Sequence, residues 1–255
     1  MHKTLLAVAC AAVIAPGLAS AQDAPEQDAA QVWSGDAELA YLMKRGNTRS
    51  QTLTAKGNAE RDGVDWRHIA KLEASNAKQR NNDTREDERT AERYFGSYKL
   101  DRKLDEANYI FNVLTAEKDR FTGYDYEASY ALGYGRRLLD SERQRLDIEA
   151  GPGYRWRQYE EGQQPAGESR KEEDAILRLG LRYRLALSET AEFNEDLTTE
   201  IGEDSTVTRA TTSLSTRITG AFSLRVSHVL RHTTDPAPDA KKTDQEITVG
   251  VVYKF

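Results

Sequence analysis

The sequence has almost no cysteine, no long apolar run beyond its first 21 residues and no block of basic residues. The single cysteine is Cys10, so a disulfide framework is excluded. No later stretch approaches the roughly 18 apolar residues that mark a membrane-spanning helix. Lysine and arginine are spread along a chain of formal net charge −6, which disfavours nucleic-acid binding.

Hydrophobic residues are also scarce, at 38% of the chain, and the mean hydropathy is −0.74. Two interpretations fit such a polar composition. One is disorder, because too little apolar surface is available to offset chain entropy. The other is a membrane β-barrel, which has a polar lumen and an apolar lipid-facing surface. The twelve tyrosines and the regular spacing of apolar residues favour the barrel.

The first 21 residues have the pattern of a secretory signal peptide. Lys3 gives a basic start, an apolar run follows over 5–15, and Ala19-Ser20-Ala21 matches a small-x-small cleavage site. We therefore expect a cleaved signal peptide over 1–21, a short periplasmic tail over 22–32 and a β-barrel over 33–255. The predicted location is the outer membrane, reached through the periplasm.

Alternation of apolar and polar residues is the strongest structural signal in the chain. It is clearest in the final segment, where one face carries Ile247, Val249, Val251, Tyr253 and Phe255. A helix would scatter the intervening polar residues around its axis, so the period of two predicts strands. Similar patterns predict strands over 124–136, 175–187 and 222–231.

Weaker patterns fill the intervals and bring the total to about twelve strands, within a range of roughly ten to fourteen. The weaker strands are predicted near 33–45, 48–60, 64–78, 88–100, 107–118, 145–158, 191–203 and 206–218. Four of the five even-numbered connections are tight and the three longest connections are odd-numbered, as in a barrel whose ends both face the periplasm. Two odd-numbered connections, at 45–48 and near Asp204, are short, so the alternation is imperfect. The predicted fold is all-β, a single antiparallel transmembrane barrel with an up-and-down meander.

Several short motifs resemble those of a known family, the salt-induced outer-membrane proteins of the domain-of-unknown-function 481 (DUF481) type. The motifs are Trp33-x-Gly35, Gly46-Asn47-Thr48, Asp119-Arg120-Phe121-x-Gly123-Tyr124-Asp125-Tyr126, Gly133-Tyr134-Gly135, Gly151-Pro152-Gly153-Tyr154-Arg155 and Val252-Tyr253-Lys254-Phe255. The resemblance implies an outer-membrane location and a barrel architecture. It carries over no catalytic or binding residue.

Charged side chains of both signs fall on the polar faces of the predicted strands. The candidate lumen-lining residues are Asp125, Glu127, Asp147, Glu149, Arg155, Arg178, Arg182, Arg184, Arg225 and Glu246. One hypothesis is a narrow water-filled pore that selects small solutes by charge. The alternative is a lumen closed by ion pairs between strands, for example between the arginines of the strand over 175–187 and Asp147 or Glu149 on the preceding strand. Both alternatives remain open at this point.

Aromatic residues are predicted to form girdles at the two membrane–water interfaces, where amphipathic rings are favoured. The candidates are Trp66, Tyr98, Tyr109, Tyr124, Tyr126, Tyr134, Tyr154, Trp156 and Tyr253. Tyr253 and Phe255, at the end of an alternating last strand, also resemble the signal that the barrel-assembly machinery recognises. The expected partners are therefore that machinery, outer-membrane lipid and lipopolysaccharide.

Catalysis has little support in the sequence. His228 and His232 share the lipid-side parity, but no serine or asparagine is placed to complete a triad. No cluster suggests a metal site or another cofactor, so none is expected. We predict a non-enzymatic barrel of the envelope-stress type. An outer-leaflet lipid-modifying enzyme on a barrel scaffold and a soluble periplasmic β-protein are the alternatives, and the oligomeric state is left open.

Overall fold

A computed structural model of the protein describes residues 33–44, 50–80, 87–120, 122–165, 167, 169–238 and 240–255. These residues form twelve strands. They are β1 (Ser34–Lys44), β2 (Ser50–Asp62), β3 (Trp66–Arg80), β4 (Asp87–Lys103), β5 (Asn108–Asp119), β6 (Tyr124–Asp140), β7 (Gln144–Tyr159), β8 (Lys171–Ala186), β9 (Ala191–Gly202), β10 (Thr206–Thr219), β11 (Phe222–Thr233) and β12 (Thr243–Lys254).

Each strand pairs with its sequence neighbours in an antiparallel ladder, and β1 pairs with β12 to close the ring. Gly35 and Phe255 exchange two backbone hydrogen bonds of 3.0 Å at this seam. A Cβ atom at Gly35 would lie 2.8 Å from the Phe255 ring and 2.3 Å from a backbone oxygen of β2. Glycine is therefore required where the first and last strands meet, and closure leaves the sheet with no unpaired edge.

The alternation in the sequence corresponds to the two faces of the barrel. On β12, Ile247, Val249 and Val251 are exposed on the outer surface, whereas Thr248 and Val252 are buried on the lumen side. Because successive strand residues point to opposite faces, the same division runs around the ring. The predicted all-β, twelve-stranded antiparallel barrel is confirmed.

The barrel has two ends with different connections. The end at which β1 begins and β12 ends, here the near end, carries the even-numbered connections 63–65, 104–107, 141–143, 187–190 and 220–221. The opposite, far end carries the connections 160–170 and 234–242, which are longer. The predicted alternation of connection lengths is confirmed for these segments.

Several strands extend further than their sequence pattern predicts. β8 begins at Lys171 instead of residue 175, because Glu172 and Asp174 on its lumen side bind Arg157 and Arg155 of β7. These four charged residues continue the ladder in a stretch without apolar alternation. Near the far end, ion pairs between lumen-facing side chains therefore extend the strand beyond the segment with alternating apolar residues.

An apolar cluster inside the barrel was not predicted. Tyr109, Phe111 and Val113 of β5 pack with Ala131 of β6 on the lumen side. Space for the rings comes from glycines on β6: a Cβ atom at Gly135 would lie 2.2 Å from the Tyr109 ring. Glycine in this strand therefore relieves crowding, as expected for a strand interior beside a large side chain.

Some predictions fall outside the described residues. These are the signal peptide over 1–21, the tail over 22–32, the turn Gly46-Asn47-Thr48 and Phe121 of the family motif. Within the described ranges no helix is long and apolar enough to cross a membrane.

Candidate permeation pathway

The lumen wall holds most of the charged residues that the sequence singled out. Nine of the ten candidates lie on the lumen side of their strands: Glu127, Asp147, Glu149, Arg155, Arg178, Arg182, Arg184, Arg225 and Glu246. The candidate Asp125 is corrected. It is the extra residue of a β-bulge in β6, and its carboxylate accepts hydrogen bonds from Arg170 at 2.9 Å and Gln158 at 3.2 Å. It belongs to the far rim.

A buried ion cluster fills the side of the lumen formed by β3 to β7. Asp101 accepts a hydrogen bond from Arg67 at 2.8 Å and lies 2.9 Å from the Lys99 ammonium. Lys99 also binds Glu149, to which the Tyr109 hydroxyl donates at 2.8 Å. Asp101 is fully buried, so its charge is tolerated because two cations neutralise it. Together with the apolar cluster, these residues obstruct this side of the lumen.

The arginines of β8 pair differently from the alternative raised by the sequence. Arg178 binds Glu200 at 2.5 Å and Arg182 binds Asp196 at 3.2 Å, both on β9. The alternative in which they pair with Asp147 and Glu149 is wrong, because those carboxylates are held by Arg137 of β6 and Lys99 of β4. Arg178 and Arg182 thus pair with the other neighbouring strand, whereas Arg184 lies opposite Asn194 of β9.

One ion pair crosses the full width of the lumen. Lys71 Nζ on β3 lies 2.8 Å from Asp196 Oδ2 on β9. These strands are six positions apart in a ring of twelve, so they face one another across the barrel. Asp196 also binds Arg182, which anchors the carboxylate on its own side of the ring. We call Lys71, Asp196 and Arg182 the cross-lumen bridge.

A second layer of ion pairs crosses the lumen closer to the far end. Arg209 of β10 binds Glu117 of β5, and Arg231 of β11 binds Glu127 of β6. Each pair joins strands five positions apart in the ring. Arg93 of β4 holds Glu117 at 2.5 Å from the opposite side. These contacts form a second constriction of the lumen, between the cross-lumen bridge and the far end.

The bridge separates two cavities. The near cavity, of about 380 Å³, opens among residues such as Asp36, Asn58 and Lys254 at the near end. The inner chamber, of about 160 Å³, lies between the bridge and the second layer. Lys71 and Asp196 line both cavities. Movement of this bridge would therefore join the two spaces, each of which has room for several water molecules.

Seven of the nine predicted interfacial aromatics are on the outer surface: Trp66, Tyr98, Tyr126, Tyr134, Tyr154, Trp156 and Tyr253. Tyr109 and Tyr124 are corrections, because both rings point into the barrel. Tyr109 is buried above the ion cluster, and Tyr124 packs against Tyr159 with 4.8 Å between ring centroids and a tilt of 32°. The bulge at Asp125 reverses the parity of Tyr124 relative to the rest of β6.

The three histidines within the described ranges lie on the outer surface and make hydrogen bonds between strands. His228 bonds to Gln245 at 3.2 Å and His232 to Thr243 at 2.8 Å. His68 bonds to the Tyr98 hydroxyl at 2.8 Å. Among the described residues no group of histidine, cysteine or carboxylate side chains could hold a metal ion.

Sequence reasoning missed the residues that cross the lumen, above all Asp196 and Glu117. Both lie on strands with weak alternation, β9 and β5, where the lumen face is difficult to distinguish. Asp196 is an even number of residues from Glu200, and Glu117 is an even number of residues from Thr115. Each therefore shares the lumen-facing side of its strand, and this spacing would have placed both inside the barrel. The arrangement holds two cavities lined by charged side chains, each with room for several water molecules.

Comparison with known proteins gives a family and a fold. The sequence profile described as "Protein of unknown function, DUF481" matches residues 37–255. The uncharacterized protein YdiY of Escherichia coli (strain K12) is 29% identical over 127 residues, which are 50% of this chain and 48% of that protein. The match thus spans about half the length of that curated relative.

Two solved structures share the fold. The NanC porin superposes with a TM-score of 0.53 at 12% identity, over 87% of this chain and 100% of that one. An outer-membrane channel from Pseudomonas putida F1 superposes with a TM-score of 0.50 at 10% identity, over 92% of this chain and 100% of that one. The fold of this chain is therefore that of porins and outer-membrane channels.

Proposed function

We propose that this chain, which belongs to the DUF481 family of proteins of unknown function, is a non-enzymatic outer-membrane barrel with a narrow pathway for small ions. The observation that carries the proposal is a pair of cavities lined by charged residues inside a closed barrel. The cross-lumen bridge separates the two cavities. A lumen of this kind admits water and small ions and excludes larger solutes.

The outer surface supports the membrane location. Its middle is apolar, with exposed side chains such as Leu177, Leu179 and Val249, and tyrosines and tryptophans occur towards both ends. This distribution suits a hydrocarbon core between two aromatic girdles. The near end is then periplasmic and the far end extracellular. Outer-membrane lipid and lipopolysaccharide are the proposed partners, with the barrel-assembly machinery during insertion.

The bridge and the second layer set the expected size of the pathway. Large porins of 16 to 18 strands leave an open aqueous channel, whereas eight-stranded barrels are filled by side chains. With twelve strands and two layers of ion pairs, this lumen is intermediate. We therefore expect small conductance steps and no passage of sugars.

Cell fractionation tests the location. A barrel of this type should remain with detergent-solubilised outer membranes and migrate faster on gels when it is not boiled. Recovery in the soluble periplasmic fraction would contradict the proposal and support the soluble alternative. Because the sequence resembles salt-induced outer-membrane proteins, protein abundance should also be compared at low and high osmolarity.

Planar-bilayer recording tests the pathway. Purified protein should give small unitary current steps in molar salt, and the reversal potential in a salt gradient should report any charge preference. If correctly folded protein gave no current steps over a wide voltage range, the proposed pathway would be refuted. The protein would then be a closed structural barrel.

A further inference from the structure

Two arginines of the inner chamber carry hydrogen-bond donors without a partner among the described residues. Arg155 Nη2 donates to Asp174 at 2.8 Å and to the Ser205 carbonyl at 2.8 Å, whereas its buried Nε and Nη1 have no partner. Arg231 Nη2 donates to Glu127, whereas its buried Nε and Nη1 donate no hydrogen bond, and Nη1 lies 3.9 Å from Glu117 Oε2. Only 3% of the Arg155 side chain and 10% of the Arg231 side chain are exposed.

The carboxylate acceptors of the chamber, in contrast, have their hydrogen-bond donors. Glu117 accepts from Arg93 and Arg209, and Glu200 accepts from Arg178 and from the Ser129 hydroxyl. Across the chamber's described lining, no buried carboxylate oxygen lacks a hydrogen-bond partner. The unmet hydrogen-bonding capacity of this space therefore consists of donors.

Charge and volume agree with this asymmetry. Seven basic side chains, five of them arginines, and six acidic side chains line the chamber. Its volume of about 160 Å³ equals the share of roughly five water molecules in the liquid. An anion with several acceptor oxygens could satisfy more than one guanidinium group at once, because arginine presents its donors as a planar fork.

We propose that the inner chamber is a binding site for a small oxyanion, held by Arg155 and Arg231. The inference deepens the proposed function, since it rests on a lumen that solutes can enter, and it names the class of solute. Sulfate, phosphate and the carboxylate of a small organic acid share the required chemistry. Chloride lacks the separate acceptor oxygens and should bind less well.

Isothermal titration calorimetry on the folded protein in detergent micelles tests the site. Sulfate, phosphate and acetate are titrated separately at constant ionic strength, with chloride as the reference. We expect saturable binding of at least one oxyanion. We expect Arg231→Gln to weaken it at least about tenfold, the loss expected from one charge-assisted hydrogen bond. Arg225→Gln is the matched control, because this arginine pairs with Asp36 and Glu38 outside the chamber.

Further variants separate a built site from general attraction by positive charge. Arg231→Lys keeps the charge but loses the planar fork, so it should weaken binding several-fold if the geometry matters. Arg155→Gln should weaken binding in the same direction. Heat-modifiable migration establishes that each variant is folded. Binding unchanged in Arg231→Gln and Arg155→Gln, or no heat beyond that of chloride, would overturn the inference.

The two proposals fail in distinguishable ways. Oxyanion binding by a protein that gives no current steps would refute the pathway and leave the site intact. Current steps without saturable binding would support the pathway and refute the site. If acetate alone binds, organic acids are the solute class; binding of sulfate or phosphate identifies tetrahedral inorganic oxyanions.

Discussion

Replacement of Asp101 by asparagine should destabilise the barrel strongly. Asp101 is fully buried and is held by two cations, with Arg67 Nη2 at 2.6 Å and Lys99 Nζ at 2.9 Å. Asparagine keeps the shape of the side chain but removes its charge, which leaves two buried cations short of a counter-ion. Removal of one partner from a buried ion pair typically costs about 3–5 kcal/mol. Loss of two charge-assisted hydrogen bonds gives a similar figure, about 3–6 kcal/mol.

The free energy of unfolding can be measured by urea titration of protein folded into lipid vesicles, followed by tryptophan fluorescence. Asp125→Asn is the matched control, because the Asp125–Arg170 pair at the rim is about 40% exposed on both sides. Such a pair contributes about 1 kcal/mol or less. Addition of Arg67→Met to Asp101→Asn should recover part of the loss, since it removes the buried cation that has lost its close counter-ion beside the Tyr109 ring, while Asp147 keeps Arg137 at 2.9 Å and Lys99 keeps Glu149. A loss below about 1 kcal/mol for Asp101→Asn would refute this account of the cluster.

Three further predictions follow from the same structure. Gly135→Ala would place a Cβ atom 2.2 Å from a lumen-facing tyrosine ring, and we expect a loss of about 1–3 kcal/mol in the same urea titration. Leu197→Arg, on the outer face of β9, should cost about 2–4 kcal/mol in vesicles, whereas Thr198→Arg, which faces the chamber, should cost less than half as much. Equal losses would contradict the assignment of the two faces. Hydrogen bonds from the Asn108 side chain and from turn backbone N–H groups lower the pKa of Asp105, at the near end. This stabilisation is present above the ordinary carboxyl pKa and is lost as the pH falls through the lowered value. Unfolding measured between pH 6 and pH 3 should therefore depend less on pH in Asp105→Ala.

The barrel could be predicted from the sequence because alternation identifies both a strand and its outward face. In β12 and β8, apolar residues such as Val249 and Leu179 alternate with polar ones and identify the outward face clearly. The order of short and long connections then indicates the direction of each strand. All twelve strands were predicted, with bounds that differ from the observed ones by a few residues.

Prediction failed where local parity was ambiguous or interrupted. The run Tyr109-Ile110-Phe111 is apolar on both faces, so nothing in it showed that Tyr109 and Phe111 enter the lumen. The bulge at Asp125 adds one residue and moves Tyr124 to the inside. A bulge places two residues of one strand opposite one residue of its partner, so a strict period of two assigns the wrong face on one side of it.

The partners across the lumen were also beyond sequence reasoning. A period of two shows that a charge faces inward, but it does not show which opposite strand it meets. Lys71 and Asp196 are 125 residues apart, and their contact depends on the number of strands and the stagger of the whole ring.

Single-channel conductance of Lys71→Ala tests the central claim most directly. This substitution removes the link across the lumen and leaves the Arg182–Asp196 pair between adjacent strands intact. Lys56→Ala is the matched control, because Lys56 faces the near cavity from the neighbouring strand and is not part of the bridge. We predict small steps for the wild type and for Lys56→Ala, and clearly larger steps for Lys71→Ala. Identical steps in all three proteins, or none in any, would contradict a lumen obstructed by this bridge.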